Sequence, residues 1–244
     1  MAAEAHSTAT LRLTVGDLTI VHPITVPSAP VAAADVIPAL QGLVNAVVDA
    51  AEAGSLKSGK SISCRKGCGA CCRQLVPVSR TEGERLLALV EAMPEERRAT
   101  LHARFAAAEA ALDGAGLAAR GQKSDRELSL AYFALAIPCP FLEEESCSIH
   151  PERPLVCREY LVTSPAELCA GPAQEGVTPV AVPKVSMAAR GLQDESEDWF
   201  PLAGLMAWAR TRPQSGARRT GPEWIKRFLS AFGAQKTAGE RQRL

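Results

Sequence analysis

The sequence predicts a mainly α-helical fold with small β hairpins around an irregular, cysteine-rich centre. Three observations predict it. Only 5% of the residues are aromatic in a chain that is 47% apolar, and alanine-rich stretches dominate, which favours helices over sheets. Apolar positions recur with helical spacing in several long segments and alternate in only short ones. Eight cysteines fall into two groups set among glycine, proline and other turn residues. A length of 244 residues allows one large domain, or one domain with extensions, and a sizeable core.

The elements follow in order. Residues 11–21, LRLTVGDLTIV, alternate and turn at Gly16-Asp17, which predicts a short hairpin. Pro23, Pro27 and Pro30 predict a link. Asp35 caps a predicted helix running to about residue 53. Its apolar face is Val36, Leu40, Leu43, Val44, Val47 and Val48; Gln41, Asn45, Asp49 and Glu52 lie opposite, and Gly54 is its stop. Ser79 with Glu82 forms a capping box for a helix to about residue 93. Pro94 opens the next, with Leu101, Phe105, Ala108 and Leu112 as its buried stripe. A polar, glycine-containing stretch leads to a helix over 126–136. The second cysteine group begins at once with a tight hairpin. Ser164 caps a short helix in SPAELC that starts at Pro165, and VTPVAVPKVS reads as an edge strand because proline is excluded from a sheet centre. Helices over 199–210 and 224–232 follow.

Zero formal net charge gives no reason to expect nucleic acid or an anionic membrane as partner. From Arg210 onward nine Lys and Arg stand against two acidic residues, read as a solvated helix face rather than an RNA contact. The first ten residues lack the charged and apolar regions of a secretory signal. The longest apolar run, 130–137, stops at Pro138, far short of the roughly 20 residues a membrane span needs. The expected location is therefore cytoplasmic, where clustered cysteines serve metal binding or redox chemistry more often than structural disulfides.

Residues 54–61, GSLKSGKS, match the phosphate-loop pattern G-x-x-x-x-G-K-S. The chemistry needs an apolar strand before the loop and a helix at its Lys-Ser end, whose N–H groups hold the phosphates. An amphipathic helix precedes this stretch, and ISCRKGCGACC follows it. The match reads as a polar linker, and no nucleotide cofactor is expected.

The cysteines carry the chemistry. Cys64, Cys68, Cys71 and Cys72 lie within nine residues; Cys139, Cys147, Cys157 and Cys169 form a looser group. Such bunching suits thiolate ligands of zinc or of an iron–sulfur cluster. Gly67 and Gly69 permit tight turns, and Arg65, Lys66 and Arg73, with Arg153 and Arg158 from the second group, are expected to lower thiol pKa values. The first run offers three well-spaced ligands, because adjacent Cys71 and Cys72 tend to diverge. A fourth is expected from the second group, so that the metal staples two segments together. Cys169 lies at the edge of the pattern. His150, three residues after Cys147, reads as a polar hairpin-end residue rather than a ligand, and Glu143, Glu144 and Glu145 as a solvated turn. The C-x3-C-x2-C spacing also occurs in radical S-adenosylmethionine enzymes, but no repeated strand–helix units follow it here. No catalytic set stands out.

ISCRKGCGACCRQLVPVS, followed by PCPFLEEESCSIHPERPLVCREYLV, resembles the YkgJ-type cysteine-cluster family of zinc- or iron-chelating proteins over roughly residues 60–172. The C-x3-C-x2-CC, C-P-F-L and R-P-x-x-C-R-x-Y blocks occur in order. The resemblance implies ligands at Cys64, Cys68, Cys71, Cys72, Cys139, Cys147 and Cys157, with Cys169 following. Flagellin lysine N-methylases are distantly similar in the cysteine motif, which points toward an iron–sulfur cluster. The expected organisation is an N-terminal hairpin, link and helix over 1–58, a cysteine-cluster metal-binding domain over 59–190, and a basic helical extension over 191–244. An iron–sulfur cluster is favoured, since seven or eight cysteines exceed the need of one structural zinc and Cys139 precedes a proline; zinc is the alternative cofactor. Three functions compete: holding, transferring or sensing iron or a cluster; a modifying or redox enzyme that uses the cluster; and a structural zinc module for protein contacts.

Overall fold

The computed structural model describes residues 5–15, 18–117, 123–171, 176–192, 199–212 and 216–241, with backbone alone for 234–241. Along the chain run β1 (His6–Val15), β2 (Leu18–Pro27), β3 (Pro30–Val31), α1 (Ile37–Lys57), β4 (Pro77–Ser79), α2 (Arg80–Glu91), α3 (Glu95–Gly114), α4 (Asp125–Ala134), β5 (Leu142–Glu143), β6 (Ser146–Cys147), α5 (Leu155–Glu159), α6 (Val185–Arg190), β7 (Trp199–Pro201), α7 (Leu205–Thr211), β8 (Arg219–Thr220) and α8 (Gly221–Arg241). Among the described residues the strands form four antiparallel pairs, β1–β2, β3–β8, β4–β7 and β5–β6. The fold is thus mainly α with small hairpins, as the composition predicts.

Local chemistry sets the helix starts. Ser79 Oγ accepts the Glu82 N–H, while the Glu82 carboxylate accepts the Ser79 N–H, closing the predicted capping box of α2. Ser124 and Glu127 build the same device on α4. Each cap is worth about 1 kcal/mol. The α3 stripe of Leu101, Phe105, Ala108 and Leu112 is buried as its spacing predicts.

Several elements depart from expectation. The N-terminal hairpin extends over His6–Val15 and Leu18–Pro27, so Pro23 and Pro27 sit within β2; they pair with Thr10 and His6 in a ladder of two edge strands, where proline is tolerated. Its expected turn, Gly16-Asp17, lies outside the described residues. Asp35 accepts the Ala32 N–H within a 3-10 turn, Ala33–Val36, that precedes α1. Helix α1 runs past Gly54 to Lys57 and ends at Ser58 and Gly59, whose φ is +74°. Gln41, expected on the polar face, is buried because it donates to the carbonyls of Glu152 and Arg153. Ser164 accepts the Thr178 N–H instead of capping a helix, and 166–170 is a 3-10 turn. VTPVAVPKVS makes one bridge, Val162 to Pro179, before α6. Trp199 begins β7 rather than a helix, paired with Ser79 of β4.

Three hydrophobic clusters pack side by side. The first joins Leu11, Ile20, Ile24 and Val26 of the hairpin to the α1 face, Leu155, α6 and the Trp224, Ile225, Phe228 and Phe232 side of α8. By length and composition the Ala33–Lys57 stretch is apolar enough to cross a membrane, but Leu40, Leu43, Val44 and Val47 are wholly enclosed in this cluster. The second joins α2 and α3 to Phe141, Ile149, Leu202 and Leu205, with Phe105 and Phe141 edge to face at 5.4 Å. The third links the C-terminal half of α3 to α4, Ile137 and Ala203. Burying each such Leu or Phe stabilises the fold by about 1.5–3 kcal/mol. Cys64 packs on the first cluster and Cys139 and Cys147 on the second, so the cysteines sit where the two meet.

Candidate metal centre

A cavity of about 650 Å³ opens between these clusters, and all eight cysteines line it. The first run reaches it from coil. After α1, residues 60–65 are irregular, and Ser63 N–H bonds the Val162 carbonyl at 2.9 Å, tying the run to the second segment. The chain turns at Arg65–Cys68, where Cys68 N–H bonds the Arg65 carbonyl and Gly67 takes a φ of +83° that glycine adopts without strain. Cys71 and Cys72 follow on the 3-10 turn Ala70–Arg73. The GSLKSGKS stretch has neither strand before it nor helix after it, so the phosphate-loop context is absent.

The second group arrives on three supports. Cys139 N–H bonds the Cys72 carbonyl at 2.7 Å, a direct backbone link between the groups. Cys147 lies on the β5–β6 hairpin, opposite Leu142. Its two-residue turn, Glu144-Glu145, has φ of 47° and 57°, the left-handed pair that closes tight hairpins. The acidic run is not a free solvated turn: Glu143 pairs with Arg97 and Arg104, and Glu145 holds Arg73 bidentately at 2.6 and 3.0 Å. Gly69 makes that approach possible, since a Cβ there would run into Glu145 Oε2 and meet Leu142 Cδ1 at 2.9 Å.

Cys157 rides on the short helix α5, which is held at both ends. Glu82 accepts the Leu155 N–H at 2.9 Å, and Glu159 accepts the Ser186 N–H and Oγ–H at 2.7 Å each. Arg158 bonds the Arg153 and Pro151 carbonyls and Asn45 Oδ1. Cys169 is buried on the 166–170 turn, where Gln74 Nε2 bonds its carbonyl at 2.9 Å. Tyr160 stands beside it, and burial pushes the phenol up to about 12. Sequence spacing singles out the cysteines; the roles of Glu82, Glu159 and Gln74 appear only in the fold, although the capping box marks Glu82.

The expected lowering of thiol pKa values is corrected. Burial pushes up Cys64, Cys147 and Cys169, takes Cys139 to about 12 and raises Cys157 well above its ordinary value. Cys71 is raised by its hydrogen bond with Cys72 and then by burial. Arg153 opposes the rise at Cys64, Cys71, Cys147 and Cys157 without overcoming it, and Arg73 is engaged by Glu145. Backbone N–H groups of Val162, Phe141 and Ile149 point at the sulfurs of Cys64, Cys139 and Cys147. Such N–H groups tune thiolate–metal sites. His150 borders the cavity, its pKa lowered by burial and by Arg153.

Residues 63–170 match the model of a family called CxxCxxCC, described as "Putative zinc- or iron-chelating domain". The matched stretch is similar to that domain. All eight cysteines fall within it, and its first run holds three residues between Cys64 and Cys68 where the name has two. No curated protein and no solved structure matches the chain. The match supports metal binding by these residues, with zinc or iron as the metal. Their donor set fits either: soft sulfurs, peptide N–H groups aimed at them, and Arg153, whose buried Nε has no partner among the described residues. Among the described residues no three Cys, His, Asp or Glu side chains already stand close enough to hold an ion; the thiols border a space rather than meet at a point.

Proposed function

We propose that this protein holds iron as an iron–sulfur cluster in the cavity, through thiolates from both segments. One observation carries the reading: eight cysteines from stretches far apart in sequence border one cavity larger than a single ion needs. Cys64, Cys68, Cys71, Cys72, Cys139, Cys147, Cys157 and Cys169 are the ligand candidates. The N–H groups of Phe141 and Ile149 stabilise sulfur in its ionised form, and Arg153 offsets accumulated negative charge. Because burial holds these thiols protonated, binding releases protons, and affinity rises with pH. A bound cluster supplies electron transfer or a sensor of oxidants and iron supply. We place this activity in the cytoplasm, where thiols stay reduced.

Zinc is the second reading, favoured by the C-x3-C-x2-C spacing of the first run. Anaerobic purification with iron, zinc and acid-labile sulfide analysis decides between them. Iron and sulfide in equal amounts, with a brown chromophore, are expected. Colourless protein carrying zinc alone overturns the cluster.

A further inference from the structure

We propose that the cavity holds two metal centres: Cys64, Cys68 and Cys169 serve one, Cys139, Cys147 and Cys157 the other, and the Cys71-Cys72 pair supplies the remaining ligand of each. The inference rests on the metal-binding reading above but not on which metal is bound. A closed thiolate site, whether one zinc or one cubane cluster, takes four cysteines. Eight around one cavity are twice that number.

The division follows the supports. Gln74, next to the first run, bonds the Cys169 carbonyl, and the 70–73 turn packs on the 166–170 turn. This brings Cys169 to the Cys64 side, although its sequence position groups it with Cys157. The thiols that act most strongly on Cys169 are Cys64, Cys71 and Cys68. Those acting on Cys157 are Cys139, Cys71 and Cys147. Cys139 and Cys147 belong to one short unit, in which Leu142 N–H bonds the Cys139 carbonyl and Leu142 pairs with Cys147. Cys71 appears on both sides, and its thiol is hydrogen-bonded to that of Cys72. The adjacent pair sits at the seam with its thiols bonded to each other rather than diverging as the sequence predicts, and metal binding would part them, one to each centre.

Metal content per chain tests this in anaerobically purified wild type and two double variants, Cys68→Ser/Cys169→Ser and Cys139→Ser/Cys147→Ser. Each variant is expected to keep about half the wild-type metal. Loss of all metal in either variant, or retention of all in either, overturns the two-centre arrangement while leaving metal binding intact. Metal-free wild type overturns the underlying reading instead. Folding of the variants does not limit the test, because stripped wild type can be titrated with Co²⁺ alone. The thiolate-to-cobalt absorption is expected to saturate at two equivalents, and saturation at one overturns the proposal.

Discussion

At the scale of single residues, two buried carboxylates fix α5, and each is raised by burial. Glu159 reaches about 7 from an ordinary 4.5. An acid raised in the fold costs nothing while it is protonated in both states. The cost appears as pH climbs past the unfolded value and is complete above the folded one, so stability falls between about 4.5 and 7. Glu159→Gln keeps an acceptor for the Ser186 N–H and a donor for its hydroxyl. The variant is expected to match wild type near pH 4.5 and to exceed it at pH 8 by at most about 3 kcal/mol, at roughly 1.4 kcal/mol per pKa unit. Thermal melts at the two pH values check this, and an unchanged pH slope would sink it. None of this was legible in the sequence, where Glu159 is one more polar residue after a cysteine. Its burial depends on Ser186, 27 residues onward.

At the scale of elements, the β5–β6 hairpin leans on the Ala70–Arg73 turn through Gly69. Gly69→Ala is expected to push the hairpin away, because the added methyl group would crowd the Leu142 side chain at 2.9 Å and the Glu145 backbone at 3.2 Å. Metal content should fall to half or less while the helices persist by circular dichroism; full metal content would show that the close approach is not needed. Gly54→Ala, with nothing near its Cβ, is the control. What the sequence revealed here was what local chemistry decides. The α2 capping box and the α3 stripe are legible because their partners lie three or four residues away. Gln41 was misread as solvated because its partners, Glu152 and Arg153, lie more than a hundred residues on. The Gly54 stop failed because Ser58 and Gly59 end the helix as well, one turn later. The expected strand at 177–186 has the composition of one but finds only a single bridge.

At the scale of the whole molecule, the cysteines lie where two hydrophobic clusters meet, so whatever they hold couples the clusters. Removing the metal with a chelator under reducing conditions is expected to lower the melting temperature by at least about 10 °C, since 1 kcal/mol is worth roughly 2–4 °C at this chain length. It should also split one unfolding transition into two, as each cluster melts separately. An identical single transition in stripped and loaded protein would argue that the cysteines are incidental to stability. The gathering of the cysteines was legible, because thiols bunch for few other reasons, and so was its drawing on two segments. Which cysteines are neighbours was not, because Cys169 returns to the first run through a turn with no pattern of its own. The first cluster has a further consequence, in time rather than in space. It is completed by α8, which follows every cysteine in the chain. During synthesis all eight thiols therefore emerge before the wall behind Cys64 is finished. Metal can meet the nascent thiols while the cavity is still open, and α8 then closes the core around them.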